Sequence, residues 1–114
     1  MFDLGLEAFG PFRSIPHFAD CHVAVRVNGH SMYPNYCNGD VVICKRIFNH
    51  NYIPYGEPFL IVLSDCYLVK FIHPHPTNKS MFLFRSSNKD FEPMAIKRSK
   101  VLEIYAVRGK IQMT

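Results

Sequence analysis

Residues 59–73 read FLIVLSDCYLVKFIH, two apolar runs separated by Ser64 and Asp65. Each run is short and rich in β-branched and aromatic side chains, which strands favour. A break of two polar residues between such runs is typical of a tight β-hairpin. The stretch therefore predicts that antiparallel strands build the core of this protein.

Four further stretches outside the hairpin predict strands: residues 21–27, 40–47, 81–85 and 101–107. In the first, Cys21 and three valines alternate with other residues, the two-residue period of a half-buried strand. No stretch sustains the 3.6-residue apolar period of an amphipathic helix. We therefore predict an all-β fold, a small barrel or sandwich of short, mostly antiparallel strands.

The beginning of the chain lacks this strand pattern. Pro11, Pro16 and scattered glycines interrupt any apolar period there. We expect residues 1–20 to form an arm or linker and residues 21–114 to form the domain. A chain of 114 residues with 48% hydrophobic residues is long enough to bury one core.

Composition excludes several classes of protein. No apolar run reaches the roughly 18–20 residues that span a bilayer, and the start does not have the pattern of a signal peptide. The net charge is +4, but the basic residues are scattered apart from Lys97, Arg98 and Lys100, so direct nucleic-acid binding is not expected. The four cysteines and six histidines match no metal-ligand spacing. We expect a cytoplasmic protein with no metal and no cofactor.

Lys70 is the first chemical anomaly, because it lies in the middle of an apolar strand. Leu68 and Ile72 share its face, and Val69 and Phe71 lie on the other, so both faces are apolar. Burial would lower the pKa of the amine, and a lysine whose pKa falls from ~10.4 toward ~7–8 can act as a general base at neutral pH. The alternative is an edge-strand lysine whose ammonium reaches water.

Ser31 is the second anomaly. It lies in VNGHSMYPNYCNGDVV, residues 27–42, just after a predicted strand and between Gly29 and Pro34. A tight bend of this kind exposes a side chain and leaves backbone N–H groups unpaired, which suits a nucleophile and an oxyanion hole. The alternative is an ordinary turn serine that bonds to its own backbone.

The spacing of these residues resembles a known family. Val27-x-Gly29-x-Ser31-Met32-x-Pro34, followed by Gly39-Asp40, resembles the nucleophile motif of LexA-like self-cleaving repressors, which include lambda-type phage repressors and UmuD proteins. Their second motif is a strand that ends in Val-Lys, and Val69-Lys70 stands here with the lysine 39 residues after the serine. Residues 83–88 with Phe91 and Pro93, and residues 104–111, are also similar to the family.

The resemblance implies a serine–lysine peptidase on this fold. Ser31 Oγ would be the nucleophile and Lys70 the general base. The backbone N–H groups of His30 and Ser31 would stabilise the oxyanion. The remaining motif residues would have structural roles in the turn and at the start of the next strand: Gly29, Met32, Pro34, Gly39 and Asp40.

The resemblance further implies a peptidase domain of a transcriptional regulator, of the stress/SOS or phage-repressor type, that cleaves its own N-terminal arm or linker. We expect a homodimer without membrane association, which meets DNA only through a DNA-binding domain outside this chain. Family members are cut at Ala-Gly or Cys-Gly, and neither dipeptide occurs here; Phe9-Gly10 is the nearest. A non-catalytic dimerisation and sensing module is therefore the alternative. A signal peptidase shares the dyad chemistry but needs a membrane anchor.

Overall fold

The computed structural model describes residues 23–113. Seven strands form one antiparallel sheet in the order β1-β2-β7-β3-β4-β5-β6. The only helical element within the described residues is a 3-10 turn, Arg98–Lys100. The all-β prediction is therefore confirmed. The strands are β1 Val23–Arg26, β2 Val41–Ile47, β3 Pro58–Val62, β4 Tyr67–Pro74, β5 Met81–Arg85, β6 Met94–Lys97 and β7 Glu103–Ile111.

The hairpin predicted from residues 59–73 is β3 and β4. Pairing runs from Val62 opposite Tyr67 to Pro58 opposite Phe71. At the turn, the Leu63 N–H donates to the Cys66 carbonyl oxygen over 2.9 Å. Because β3 also pairs with β7 and β4 also pairs with β5, the hairpin occupies the interior of the sheet.

Both faces of this sheet are apolar. Successive residues of β3 alternate between two buried clusters: Phe59 and Ile61 belong to one, and Leu60 and Val62 belong to the other. The same alternation continues in β7 with Ile104 and Tyr105. Side chains on opposite faces of these strands therefore belong to separate buried clusters. This is expected of a sheet that curls over itself or is covered on both faces.

The strand β1 differs from its prediction in burial. The alternating pattern predicted a half-buried strand, but Ala24 and Val25 are both fully buried. Ala24 packs on a third cluster with Val41 and Ile43, so the second face of β1 is covered as well. Cys21 and the predicted arm, residues 1–20, lie outside the described residues.

Two strand predictions near the end of the chain need correction. The strand β6 was not predicted, and it is a short edge strand in which only Ile96 is partly buried. The last strand was expected at residues 101–107, but β7 begins at Glu103 because the Val101 N–H closes the 3-10 turn on Arg98. Residues 23–113 include no helix with the length and apolar character needed to cross a bilayer.

Candidate active site

Lys70 is buried in the centre of the sheet. The strand β4 lies between β3 and β5, and the Lys70 side chain is 6% exposed, so the edge-strand alternative does not apply. Burial lowers the pKa of its amine from the ordinary value. Its Nζ donates to Ser86 Oγ over 2.8 Å and lies 5.5 Å from the centre of the Phe91 ring. Burial therefore favours the neutral form of the Lys70 amine, and Ser86 Oγ accepts a hydrogen bond from one of its N–H groups.

A closed loop after β1 presents the serine. The Val27 N–H donates to the Asp40 carbonyl oxygen over 2.7 Å, and the Gly39 N–H donates back to the Val27 carbonyl oxygen over 2.9 Å. These bonds tie the two ends of the loop together. Gly29 has φ +87°, in the left-handed region that favours glycine, and its N–H donates to Asn38 Oδ1 over 2.8 Å. The chain can therefore bend sharply just before Ser31.

Two motif residues, Met32 and Asp40, anchor the serine loop to the rest of the domain. Met32 is 1% exposed and packs in the same buried cluster as Val25 and Leu60. Asp40 is also 1% exposed, and its Oδ2 accepts a hydrogen bond from the Cys37 N–H over 2.9 Å. A side chain anchored on each side of Ser31 limits the movement of the loop that carries it.

Ser31 and Lys70 line one small cavity. Its volume is about 50 Å³, and Val27, Met32 and Tyr67 contribute to the same wall. Among the described residues, the Ser31 hydroxyl has no hydrogen-bond partner, and the backbone N–H groups of His30 and Ser31 donate to no acceptor. The Ser31 hydroxyl and the Lys70 amine therefore adjoin one space, and the uncommitted backbone N–H groups of Ser31 and its neighbour His30 lie in the loop beside it.

The segment that follows β5, residues 86–93, contacts both halves of this arrangement. Ser86 and Phe91 contact Lys70 as described above. On the serine side, the Asn88 N–H donates to the Ser31 carbonyl oxygen over 2.9 Å, and Asn88 Nδ2 donates to the His30 carbonyl oxygen over 3.0 Å. This segment, which we call the bridging segment, links the serine loop to the lysine strand.

One comparison with known proteins identifies the family of this chain. A family model described as Peptidase S24-like matches residues 10–110, nearly the whole chain. The chain belongs to the Peptidase S24-like family. A search of curated proteins finds no significant match. The resemblance to LexA-like repressors is thereby confirmed, and the Peptidase S24-like family is one of serine peptidases.

The Peptidase S24-like domain has site contacts that sequence reasoning missed. No local sequence pattern predicts the contact of Ser86 with Lys70, although residues 83–88 are similar to the family. The sequence places Tyr67 only within the predicted hairpin, yet its hydroxyl donates to the Arg26 carbonyl oxygen and accepts a bond of 3.0 Å from Asn28 Nδ2. Tyr67 thus ties β4 to the end of β1, beside the cavity.

No group of three or more metal-ligating side chains lies close together within the described part of this Peptidase S24-like domain. The polar side chains of the residues that line the cavity are a hydroxyl, an amine, a phenol and an amide: Ser31, Lys70, Tyr67 and Asn28. These groups can supply a nucleophile, a base and hydrogen-bond donors to a peptide carbonyl.

Proposed function

We propose that this chain is a serine endopeptidase domain of a self-cleaving transcriptional regulator, of the stress/SOS or phage-repressor type. Ser31 would be the nucleophile and Lys70 the general base. The observation that carries the proposal is that the two side chains line one cavity, with Lys70 buried and Ser31 accessible from it. The substrate would be the N-terminal arm or linker of the same protein.

The reaction has two halves. The neutral Lys70 amine takes the proton of the Ser31 hydroxyl as Oγ attacks the carbonyl carbon of the scissile bond. The resulting oxyanion accepts hydrogen bonds from the His30 and Ser31 N–H groups. Collapse of the intermediate breaks the C–N bond, and the Lys70 ammonium gives its proton to the leaving amine. A water molecule, deprotonated by Lys70, then attacks the ester carbon; the bond to Ser31 Oγ breaks, and the Lys70 ammonium returns the proton to Oγ.

Burial makes Lys70 suited to this role. An exposed lysine is almost entirely protonated at neutral pH, because its pKa is ~10.4. The apolar surroundings of Lys70 lower that pKa, so a larger fraction is neutral and able to accept a proton. We therefore expect the rate of cleavage to increase as the pH is raised from neutral into the alkaline range.

The test is incubation of the protein at alkaline pH, alone and with an added peptide that contains an Ala-Gly bond. We expect a discrete product from the wild type and none from Ser31→Ala. Ser64→Ala, which removes an exposed hydroxyl in the β3–β4 turn, is the matched control and should cleave as the wild type does. If the wild type, Ser31→Ala and Ser64→Ala all stay intact, or all are cut, the peptidase proposal is wrong.

A non-catalytic dimerisation and sensing module is the second candidate. It is favoured by the lack of an Ala-Gly or Cys-Gly dipeptide in the 114 residues. The strand β3 pairs with β7 only through residues 103–106, so on that side residues 107–111 have no strand partner within the described part of the chain. Ile111 and Met113 are also partly exposed there. This edge could pair with the same edge of a second copy.

Sedimentation of the chain tests the dimer. We expect a homodimer that Ile111→Lys weakens, because a charge would then lie beside the open edge of β7. A strict monomer over the accessible concentration range would contradict dimerisation. Because dimerisation and cleavage are measured separately, either can fail without the other.

A further inference from the structure

We propose that Ser86 is a positioning residue for Lys70: its hydroxyl oxygen accepts one Nζ–H and thereby directs the lone pair of the amine toward Ser31. The proposal rests on the peptidase function proposed above, in which Lys70 must accept the Ser31 proton. The Lys70 Nζ to Ser86 Oγ distance is 2.8 Å, within normal hydrogen-bond range.

The backbone holds Ser86 in place for this contact. In the pairing of β4 with β5, Phe71 lies opposite Arg85. Continuing the antiparallel register by one residue sets Ser86 opposite Lys70. The Asn88 bonds to His30 and Ser31 then fix the same segment on the serine side. The hydroxyl therefore stands on a backbone tied at both ends and has little freedom to leave the amine.

The chemistry of a neutral amine explains why one fixed acceptor matters. Neutral Nζ has two N–H bonds and a single lone pair, and only that lone pair can receive a proton. A rotating amine directs the lone pair toward Ser31 only part of the time. When one N–H is held by Ser86 Oγ, fewer orientations remain. After the transfer, the ammonium keeps its bond to Ser86 until it gives a proton to the leaving amine.

Few other groups compete for this role. Tyr67 is the titratable side chain that lines the cavity with Lys70, and its hydroxyl donates to the Arg26 carbonyl oxygen. The charged side chains flanking Ser86 in sequence are exposed: Arg85, Lys89, Asp90 and Glu92. From β3, the residue paired with Lys70 is the apolar Phe59. Ser86 is thus the hydrogen-bond acceptor of Lys70 among the described residues.

The experiment compares Ser86→Ala with Ser86→Thr, which keeps a hydroxyl, and with Ser87→Ala. Ser87 is the matched control because it is the neighbouring serine and its hydroxyl contacts Met32 Sδ at 3.9 Å rather than Lys70. Two quantities are measured. One is the first-order rate constant of cleavage as a function of pH. The other is the pKa of Lys70, from carbon-13 NMR of its side chain in a Ser31→Ala background that cannot cleave.

We expect Ser86→Ala to reduce the cleavage rate at its high-pH plateau by about tenfold or more, because the lone pair of Lys70 would then point toward the Ser31 hydroxyl less often. We also expect a lower pKa of Lys70, since the ammonium loses a hydrogen-bond acceptor. Ser86→Thr should restore both values toward wild type, and Ser87→Ala should change neither. A purely structural role would slow cleavage without moving the pKa of Lys70.

Three outcomes would overturn the proposal. An unchanged plateau rate in Ser86→Ala would show that Lys70 needs no help with orientation. A slower rate with an unchanged pKa of Lys70 would assign Ser86 a purely structural role. If Ser87→Ala changed the cleavage rate and the pKa of Lys70 equally, the bridging segment as a whole, and not the Ser86 hydroxyl, would be responsible for both effects. If the wild type itself does not cleave, the peptidase function fails, while the titration in Ser31→Ala still shows whether Ser86 bonds to Lys70.

Discussion

The backbone N–H of Asn88 donates to the carbonyl oxygen of Ser31 over 2.9 Å. The two residues are far apart in sequence, yet this bond joins the bridging segment to the loop that carries Ser31. The same segment contacts Lys70 through Ser86. The relative position of serine and lysine therefore depends on a third stretch of chain as well as on their own strands.

The first prediction concerns the side chain of Asn88. Asn88→Ala removes the Nδ2 bond to the His30 carbonyl oxygen and the Oδ1 bond from the Asp90 N–H, each 3.0 Å long. We expect a loss of about 1–2 kcal/mol in the free energy of unfolding, measured by urea denaturation. Cleavage should slow by more than this destabilisation explains, because the serine loop loses a tether.

Asn78→Ala is the control for Asn88→Ala. Asn78 Oδ1 makes similar local bonds to the Ser80 N–H and hydroxyl, but in the β4–β5 loop and away from the cavity. It should lose comparable stability and keep its cleavage rate under conditions where it is folded. Equal slowing in both variants would contradict a specific role for Asn88.

The second prediction compares two neighbours in the serine loop. Met32 is 1% exposed in the core, whereas Tyr33 is 55% exposed. Met32→Ala should cost about 2–5 kcal/mol in urea denaturation, because it deletes buried volume and leaves a cavity under Ser31. Tyr33→Ala should cost less than about 1 kcal/mol, as surface substitutions do. Similar losses in both variants would show that Met32 does not anchor the loop.

Strand periodicity accounts for most of the fold. The apolar runs of β2, β3, β4 and β5 are short and bounded by polar turns, so their positions were predicted to within a residue or two. The strand β6 was missed because residues 94–97 are mostly exposed and carry no two-residue apolar period. Its existence depends on pairing with β5, which the local sequence does not encode.

The sequence predicted which residues form the candidate site, but not the hydrogen bonds that hold them in place. An amine on a strand apolar on both faces must be buried or at an edge, and Lys70 is buried. The contact with Ser86 depends on the register between β4 and β5, which the intervening loop sets. The bond from Asn88 to Ser31 depends on how two distant loops pack. Neither relation leaves a local pattern in the sequence.

The third prediction concerns Gly29, whose φ is +87°. A Cβ built there meets no atom within 4 Å, so a substitution is disfavoured by backbone conformation and not by contact. Gly29→Ala should lower the free energy of unfolding by about 1–2 kcal/mol. Gly29→Asn should cost less, since asparagine visits the left-handed region more readily than alanine. Equal losses in thermal or urea denaturation would contradict this conformational explanation.

The fourth prediction concerns the stability penalty of Lys70 and its dependence on pH. Burial lowers the pKa of Lys70 in the folded state below its unfolded value of ~10.4. Between those two pKa values the unfolded chain binds more protons than the folded one, so the contribution of Lys70 to stability becomes more favourable as the pH rises. The penalty is complete below the folded pKa and is relieved as the pH approaches ~10.4.

Lys70→Met removes this penalty with a side chain of similar length. At neutral pH we expect the variant to be at least as stable as the wild type in urea denaturation, because an apolar side chain replaces a buried amine. The difference between the two should shrink as the pH rises toward ~10. Lys97→Met, on the exposed edge strand β6, removes one surface amine and is the matched control for the loss of a lysine. A difference between Lys70→Met and the wild type that stays constant with pH would show that burial does not disfavour the Lys70 ammonium.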